Sequence, residues 1–468
     1  MTASVAPIPD DAQRRGSARA SPATWSDAVW TLPDTLPPHA AEPDTAPRAA
    51  PVIGTNIVVI AALLHAAGAV TAALDIVALG SALGTPLWLA IYAWSAATLI
   101  RHQGIQWMAW LLRYRPLLVA VTAGAAASYL WSIDPSLTLQ RSVHLVGTSL
   151  LAIAVGIHLS TRALVTVLTW TFAILLLGGI VASVAAPEVG LQITDGGHAW
   201  KGLQNDKNGF GFTAASAALF FIVRVLAEDV RQRAWSLCLG LLATAALIMS
   251  DSATSIVACA VGAIVILMFG ASTLVRLHGV VALCVLIVGA VFAYALVTLV
   301  DAGAVFDVLG RSLDFTGRSE IWDAAWALTE RRPWLGFGYG AVWFPRPEMV
   351  DAQAALLGTT WSAAHAHNGF LQVASELGLP AAAAAVAVVL RLLIEPIRLY
   401  FRRPSPLVLF VIGLQVAFAV SNMSEARLFI DRSFHWIMAV ALSIALLRSA
   451  QRLGWLSGAA QPVRPSFR

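Results

Sequence analysis

From about residue 56 onward the chain is a succession of long apolar runs separated by short polar connections. The runs cover 56–74, 78–100, 116–132, 142–160, 163–184, 208–227, 234–250, 253–270, 277–300, 371–394, 405–422 and 433–450. A helix needs roughly 20 mostly apolar residues to cross the hydrocarbon of a bilayer. The pattern therefore predicts an all-α polytopic membrane protein with about 12 transmembrane helices, occupying residues 52–450. The border between the first two runs is blurred by Asp75 and the glycines at 80 and 84. Two connections are long, 185–207 and about 301–370; the second is expected to be a large outward-facing loop carrying short amphipathic helices. Residues 1–51 differ in kind. They hold Pro33, Pro37, Pro38, Pro43, Pro47 and Pro51 with no apolar period, so a disordered cytoplasmic tail is expected there. Residues 451–468 form a second expected tail. No signal-peptide pattern follows Met1, so the first apolar run is expected to act as the insertion signal.

Composition sharpens this. Of 468 residues, 58% are hydrophobic and 12% charged, whereas soluble domains are about one-quarter charged. So few charges cannot cover the surface of a soluble protein this large. A soluble enzyme, a nucleic-acid-binding domain and a disordered chain are excluded. The 17 Trp fit a membrane protein, since Trp gathers at bilayer interfaces. Lysine occurs only at Lys201 and Lys207, and the other basic residues are arginine, as expected of a GC-rich genome. Cys238, Cys259 and Cys284 lie in apolar runs without metal or redox spacing, which argues against a disulfide framework.

Charge gives the orientation. With the N-terminus cytoplasmic, the short inner loops carry Arg101, Arg113, Arg115, Arg162, Arg224, Arg231 and Arg233, as the positive-inside rule requires. Both long loops then face outward, with both termini inside. The larger loop nevertheless holds Arg311, Arg318, Arg331, Arg332 and Arg346, together with His365 and His367. Guanidinium groups grip phosphates with two prongs and stay charged. An outward arginine cluster above a membrane pocket thus suggests an anionic, lipid-linked diphosphate substrate. Pairing with the loop's own acids, such as Asp314, Glu320 and Asp323, is the plain structural alternative. Arg427 and Arg432, in the last outward loop with Glu425 and Asp431, either close the site from the other side or salt-bridge locally. Arg141 is a weaker candidate.

Two stretches of the large loop carry the motifs. Residues 317–340 read GRSEIWDAAWALTERRPWLGFGYG. Ile321, Ala325 and Leu328 share one helical face, so an amphipathic helix of about three turns is expected, ended by Pro333 and lying along the membrane surface. Gly336, Gly338 and Gly340 are expected to form a tight turn, not a dinucleotide fingerprint, because no strand precedes them. Residues 365–378, HAHNGFLQVASELG, place His367 and Asn368 at a helix start, where free N–H groups favour a phosphate. His365 and His367 lack a third His or Cys ligand nearby, which argues against a metal site. His367 can be a base, a phosphate contact, or only a cap.

In this order across one outward loop, these stretches resemble the O-antigen ligase and polymerase family of bacterial membrane glycosyltransferases. The matching residues are Gly317-Arg318 with Trp322, Pro333 with Gly336 and Gly338, and His367-Asn368 with Leu371 and Glu376-Leu377-Gly378. Upstream, Asp206-Lys207-Asn208 with Gly211 resembles the family's Lys-Asn motif, and Ser250-Asp251-Ser252 its Ser-x-Ser turn. The likeness spans about 200–450. Asp206 stands where the family often has His, and Ala253-Thr254-Ser255 carry no basic residue after the turn, which puts the role of those positions in doubt. The resemblance implies transfer of a glycan from an undecaprenyl diphosphate carrier at the outer face of the inner membrane, by a metal-free, inverting route without cofactor. The closer likeness is to exopolysaccharide and O-antigen repeat-unit polymerases; the alternatives are a ligase acting on lipid A–core or, in another class, a flippase for lipid-linked oligosaccharide. Arg318 and His367 are the expected catalytic residues. Lys207, Asn208, Arg311, Asn368, Arg427 and Arg432 are the expected substrate contacts. The implied partners are the undecaprenyl-diphosphate-linked oligosaccharide, membrane lipids, and flippase, chain-length and export proteins, with no nucleic acid.

Overall fold

The computed structural model describes residues 52–76, 78–194, 197–275, 316–343 and 350–452. The expected span 277–300, the expected contact Arg311 and the N-terminal tail lie outside the described residues. The described chain is helical apart from one hairpin. In order it forms α1 (Val52–Ala66), α2 (Ala69–Ile76), α3 (Gly80–Gln103), α4 (Gln106–Tyr114), α5 (Pro116–Ala127), α6 (Pro135–His158), α7 (Thr161–Ala185) and the short α8 (Pro187–Gly190). The antiparallel strands β1 (Leu191–Thr194) and β2 (Gly197–Trp200) follow, paired Leu191 to Trp200. Then come α9 (Lys207–Ala227), α10 (Val230–Met249), α11 (Ala253–Val275), α12 (Thr316–Arg331), α13 (Val350–Leu357), α14 (Gly369–Leu377), α15 (Leu379–Arg402), α16 (Pro406–Ser421) and α17 (Phe434–Arg452).

Among the described residues, 8 helices are long and apolar enough to cross a membrane. The α1–α2 pair is a ninth candidate, bent by 76°, and two shorter apolar helices, α5 and α16, accompany them. Polar residues set the helix starts. Asp134 accepts from Leu137 N, Ser160 from Ala163 N, Asp229 from Gln232 N and Ser405 from Val408 N, each satisfying an otherwise orphaned N–H. α16 is apolar on every side and sits in the centre, buried among α9, α11, α15 and α17. Close helix crossings rely on glycine. A Cβ on Gly262 of α11 would stand 2.8 Å from Gly413 O of α16, and one on Gly156 of α6 would stand 2.7 Å from Ala441 O of α17. Small residues let membrane helices approach this closely.

Two expected spans are broken. The run 56–74 divides at Ala67–Gly68. The run 371–394 divides at Gly378 (φ 84), making α14 a half-helix separate from α15. Pro380 has no N–H to give the Glu376 carbonyl, so the helical ladder stops there. The glycine loop takes over the freed carbonyls. Phe337 N donates to Ser375 O (3.1 Å), Gly338 N to Glu376 O (2.9 Å), and Leu379 N turns to Pro333 O (2.7 Å). Gly336, Gly338 and Gly340 all have positive φ, and a Cβ at Gly336 would stand 2.4 Å from the Glu376 backbone. The expected tight turn thus exists, docked against the break. The expected amphipathic helix is α12, which packs on α14.

Candidate active site

Three segments far apart in sequence meet on one carboxylate, that of Glu425. Asn208, in the first turn of α9, donates from Nδ2 to Glu425 Oε1 at 2.8 Å. Arg318, in the first turn of α12, donates from Nη2 to the same oxygen at 2.9 Å. His367 Nδ1 stands 3.5 Å from Oε1 and His365 Nε2 stands 3.9 Å from Oε2. Burial opposes a charge on Glu425, but His367, His365 and Arg318 beside it outweigh burial and hold the carboxyl down at about 2. The carboxylate is therefore ionised at any physiological pH, and its side chain is only 5% exposed.

Each partner is held from behind. Asp206 caps α9 by accepting from Gly209 N (2.8 Å), which fixes where Lys207 and Asn208 stand. Ser252 Oγ donates to Asn208 Oδ1 (2.9 Å), so the amide is oriented with its nitrogen toward Glu425. Gly211 is required here, since a Cβ would stand 2.6 Å from Ser250 Oγ. Lys207 Nζ lies 3.5 Å from Asp251, whose φ of 50° places it in the left-handed region. Arg427 is buried. It donates to Asn208 O (2.9 Å), lies 3.2 Å from His435 Nδ1, and sits over the Phe212 ring at 4.7 Å. Burial lowers its pKa, against which the charges of Glu425 and Asp206 act. It supports the Asn208 backbone from beneath.

The histidine pair is set by its backbone. Asn368, not His367, is the cap of α14, accepting from Phe370 N (3.0 Å) and Leu371 N (3.1 Å). That removes the reading of His367 as a mere cap. His367 has a left-handed φ of 50°, and Trp322 donates to its carbonyl at 3.3 Å. The two rings stand 3.9 Å apart. His367 N donates to His365 Nδ1 (3.2 Å), so that nitrogen is unprotonated and the His365 proton sits on Nε2, facing Glu425. Burial lowers His365 to about 4, so the ring is neutral. The α14 start is docked on the loop bearing Glu425: Gly369 N donates to Asn422 O (2.9 Å) and Asn368 Nδ2 to Met423 O (3.3 Å). The same loop is tied to α11 by Thr254 and Ser424 at 2.8 Å.

Of the expected contacts, Lys207, Asn208, Arg318, His367, Asn368 and Arg427 surround this centre, and Arg432 does not. Arg432, also left-handed (φ 56), pairs with Asp431 (3.1 Å), which Arg141 also holds (3.1 Å). Glu376 is buried near that second cluster, and burial raises its carboxyl to about 8. Glu425, the centre of this candidate site, is a residue that sequence reasoning placed only as a salt-bridge partner. His365, His367 and Glu425 also form the one group among the described residues whose ligand atoms, all within 4.8 Å of one another, could hold a metal ion. Arg318 and Asn208 already contact the carboxylate of that group.

Residues 238–386 match the family model described as O-Antigen ligase. This stretch belongs to the O-antigen ligase family. It contains Asp251, Ser252, Arg318, His365, His367, Asn368 and Glu376, while Asn208, Glu425 and Arg427 converge on it from outside. With 8 candidate spans among its described residues, the chain is a multi-pass membrane protein, and its stretch 238–386 is similar to a family of O-antigen ligase or polymerase-type glycan transfer. No curated protein matches the chain.

Proposed function

We propose that the protein transfers glycan at the outer (periplasmic) face of the inner membrane from an undecaprenyl-diphosphate-linked donor, polymerising exopolysaccharide or O-antigen repeat units. The observation that carries this reading is the meeting of Arg318, Asn208 and two histidines on the ionised Glu425. Departure of a diphosphate from an anomeric carbon builds negative charge on the leaving oxygens, and fixed cations stabilise that transition state. Arg318 takes this role from a helix start, with Lys207 as the second cation. Glu425 keeps the Nδ1 proton of His367 toward itself, leaving Nε2 to accept the proton of the acceptor hydroxyl. The hydroxyl oxygen then attacks as the diphosphate leaves from the opposite side, so the anomeric configuration inverts. The guanidinium does the electrostatic work of a divalent cation, so the step runs without one. Asn368 positions His367, and Arg427 positions Asn208. The ligase reading differs in the acceptor alone.

Turnover by purified protein on an undecaprenyl-diphosphate oligosaccharide tests the reading. Arg318→Lys keeps the charge and loses the two-pronged donor. It should lose most activity, and Arg318→Ala essentially all, with unchanged protein level in the membrane. Wild-type output from Arg318→Lys would refute clamping by the guanidinium.

A further inference from the structure

A cavity of about 390 Å³ opens beside the bend between α1 and α2, against residues 201–205, which lead into α9. Its walls include Gly68, Thr71 and Asp75 from the bent pair and Lys201, Gln204 and Asn205 from the run that leads into α9. The geometry points to a glycan subsite, one that holds sugar units of the lipid-linked substrate away from the reacting bond. This deepens the transfer reading and rests on it.

Three observations select sugar over other ligands. First, the lining carries one carboxylate, Asp75, and one ammonium, Lys201, so it has no net charge for a diphosphate. The rest is amide, hydroxyl and backbone interleaved with the apolar Ala72, Ile76, Val189 and Leu203, a mixed set that suits the neutral hydroxyls and the C–H faces of a sugar. Second, the volume lies in the lower part of the range of small-molecule pockets, roughly 300–1,000 Å³. That fits a short stretch of sugar and not a lipid tail. Third, the wall is a broken helix. Backbone freed from the helical ladder at membrane depth is tolerated where it lines a polar cavity or is buried in protein. Gly68 (φ 87) makes the break possible, and a Cβ there would stand 3.3 Å from Leu203 O.

The cavity is tied to the centre. Gln204 Nε2 donates to Thr213 Oγ1 (2.8 Å), Thr213 Oγ1 meets His435 Nε2 (3.0 Å), and His435 Nδ1 meets Arg427 (3.2 Å). Asn205 is separated from Lys207 only by the capping Asp206. A repeat unit whose first sugar stands at Glu425 would pass its later sugars along 201–207 into this space.

The test uses full-length protein in lipid nanodiscs and two undecaprenyl-diphosphate donors, one bearing a complete repeat unit and one a single sugar. Asn205→Ala and Lys201→Met each remove one neutral or charged hydrogen-bond donor. KM for the complete donor should rise about fivefold per lost bond, since about 1 kcal/mol corresponds to that factor. The kcat should hold, and KM for the single-sugar donor should not move. Equal KM changes for both donors, or none, would overturn the subsite while leaving the transfer reading intact. Saturation-transfer NMR with the oligosaccharide freed by mild acid from the donor gives a second readout. Signals present with wild type should vanish in the cavity-filling Ala72→Phe, and should weaken in Asn205→Ala if Ala72→Phe fails to fold. No signal with wild type would overturn the subsite. If wild type turns over neither donor, the transfer reading falls, and the NMR signal alone then decides the cavity.

Discussion

Glu425→Gln is the most informative single change, because it removes charge with almost no change of shape. In the wild type the carboxylate accepts from Asn208 at 2.8 Å and Arg318 at 2.9 Å and faces His367 at 3.5 Å. At the Arg318 distance, Coulomb attraction with an effective dielectric near 20 is on the order of 5 kcal/mol before desolvation is counted. The Arg318 side chain is 20% exposed, so the net is smaller. Hydrogen bonds to charged groups are worth about 1.5–3 kcal/mol each, which sets the expected loss of stability for Glu425→Gln. Glu425→Ala should lose about 3–5 kcal/mol, because it leaves Arg318 facing a buried gap. The effect on rate should be larger. An amide has no preference for the Nδ1–H form of His367, and amide replacement in carboxylate–histidine pairs lowers rates by on the order of 10⁴. The expected outcome is a folded Glu425→Gln protein, melting below wild type in detergent, that binds the lipid-linked donor but makes 10²- to 10⁴-fold less product. Binding by scintillation proximity and turnover by gel mobility separate the two. Wild-type turnover with Glu425→Gln would refute the placement of Glu425 behind both Arg318 and His367.

Three further outcomes follow. His367→Asn keeps the left-handed backbone, which Asn adopts readily, so the protein should fold and bind donor while its turnover falls by about 10²- to 10⁴-fold; His365→Asn should retain most activity, and an equal loss at both positions, reversed by added zinc in the wild type after chelation, would instead assign the pair and Glu425 to a metal. Glu376 has a folded pKa of about 8, raised by burial above its ordinary value of 4.5. The folded state thus holds a proton that the unfolded state has lost between those values, and stability should fall as pH rises from about 5 through 8. Glu376→Gln should flatten that dependence in a melting series, and an unchanged slope would contradict a neutral Glu376. Single-cysteine variants at Ser312 and the exposed Ala352, in a background with Cys238, Cys259 and Cys284 replaced, should label from outside intact cells, and labelling only after permeabilisation would reverse the topology and the site with it.

What was legible in the sequence were features carried by local pattern. Apolar runs gave the all-helical membrane class, though 8 helices among the described residues are long enough to span where about 12 were expected, and Asn208, Arg318 and His367 stood in motifs whose spacing marked helix starts. The two broken runs were not legible as such, because Ala67-Gly68 and Gly378-Leu379-Pro380 interrupt hydropathy too little to separate half-helices from whole ones. What reveals the second break is tertiary: the carbonyls of Ser375 and Glu376 find Phe337 and Gly338 instead of their helical partners. Glu425 was visible only as an acid in a loop rich in charge. Nothing local distinguishes it from Asp431, six residues on, because each has an arginine within two residues after it.

Long-range partners, not burial, separate those two acids, since both are buried. Asp431 is held between Arg141 and Arg432, a closed set in which each charge is answered by a protein group. Glu425 is answered by Arg318, Asn208 and the histidines, which arrive from α12, α9 and the α14 start, all of them helix starts on the same side of the molecule. A helix start is the positive end of the helix dipole, so this carboxylate sits where an anion is favoured before any substrate arrives. That placement has a consequence for the order of events. The field that holds Glu425 at about 2 is the field a diphosphate would enter, and the incoming anion competes with the carboxylate for Arg318. In the proposed transfer, donor binding would weaken the Arg318–Glu425 pair and leave Glu425 more fully engaged with His367, which would strengthen the proposed base as the acceptor arrives and couple the two halves of the reaction through one side chain.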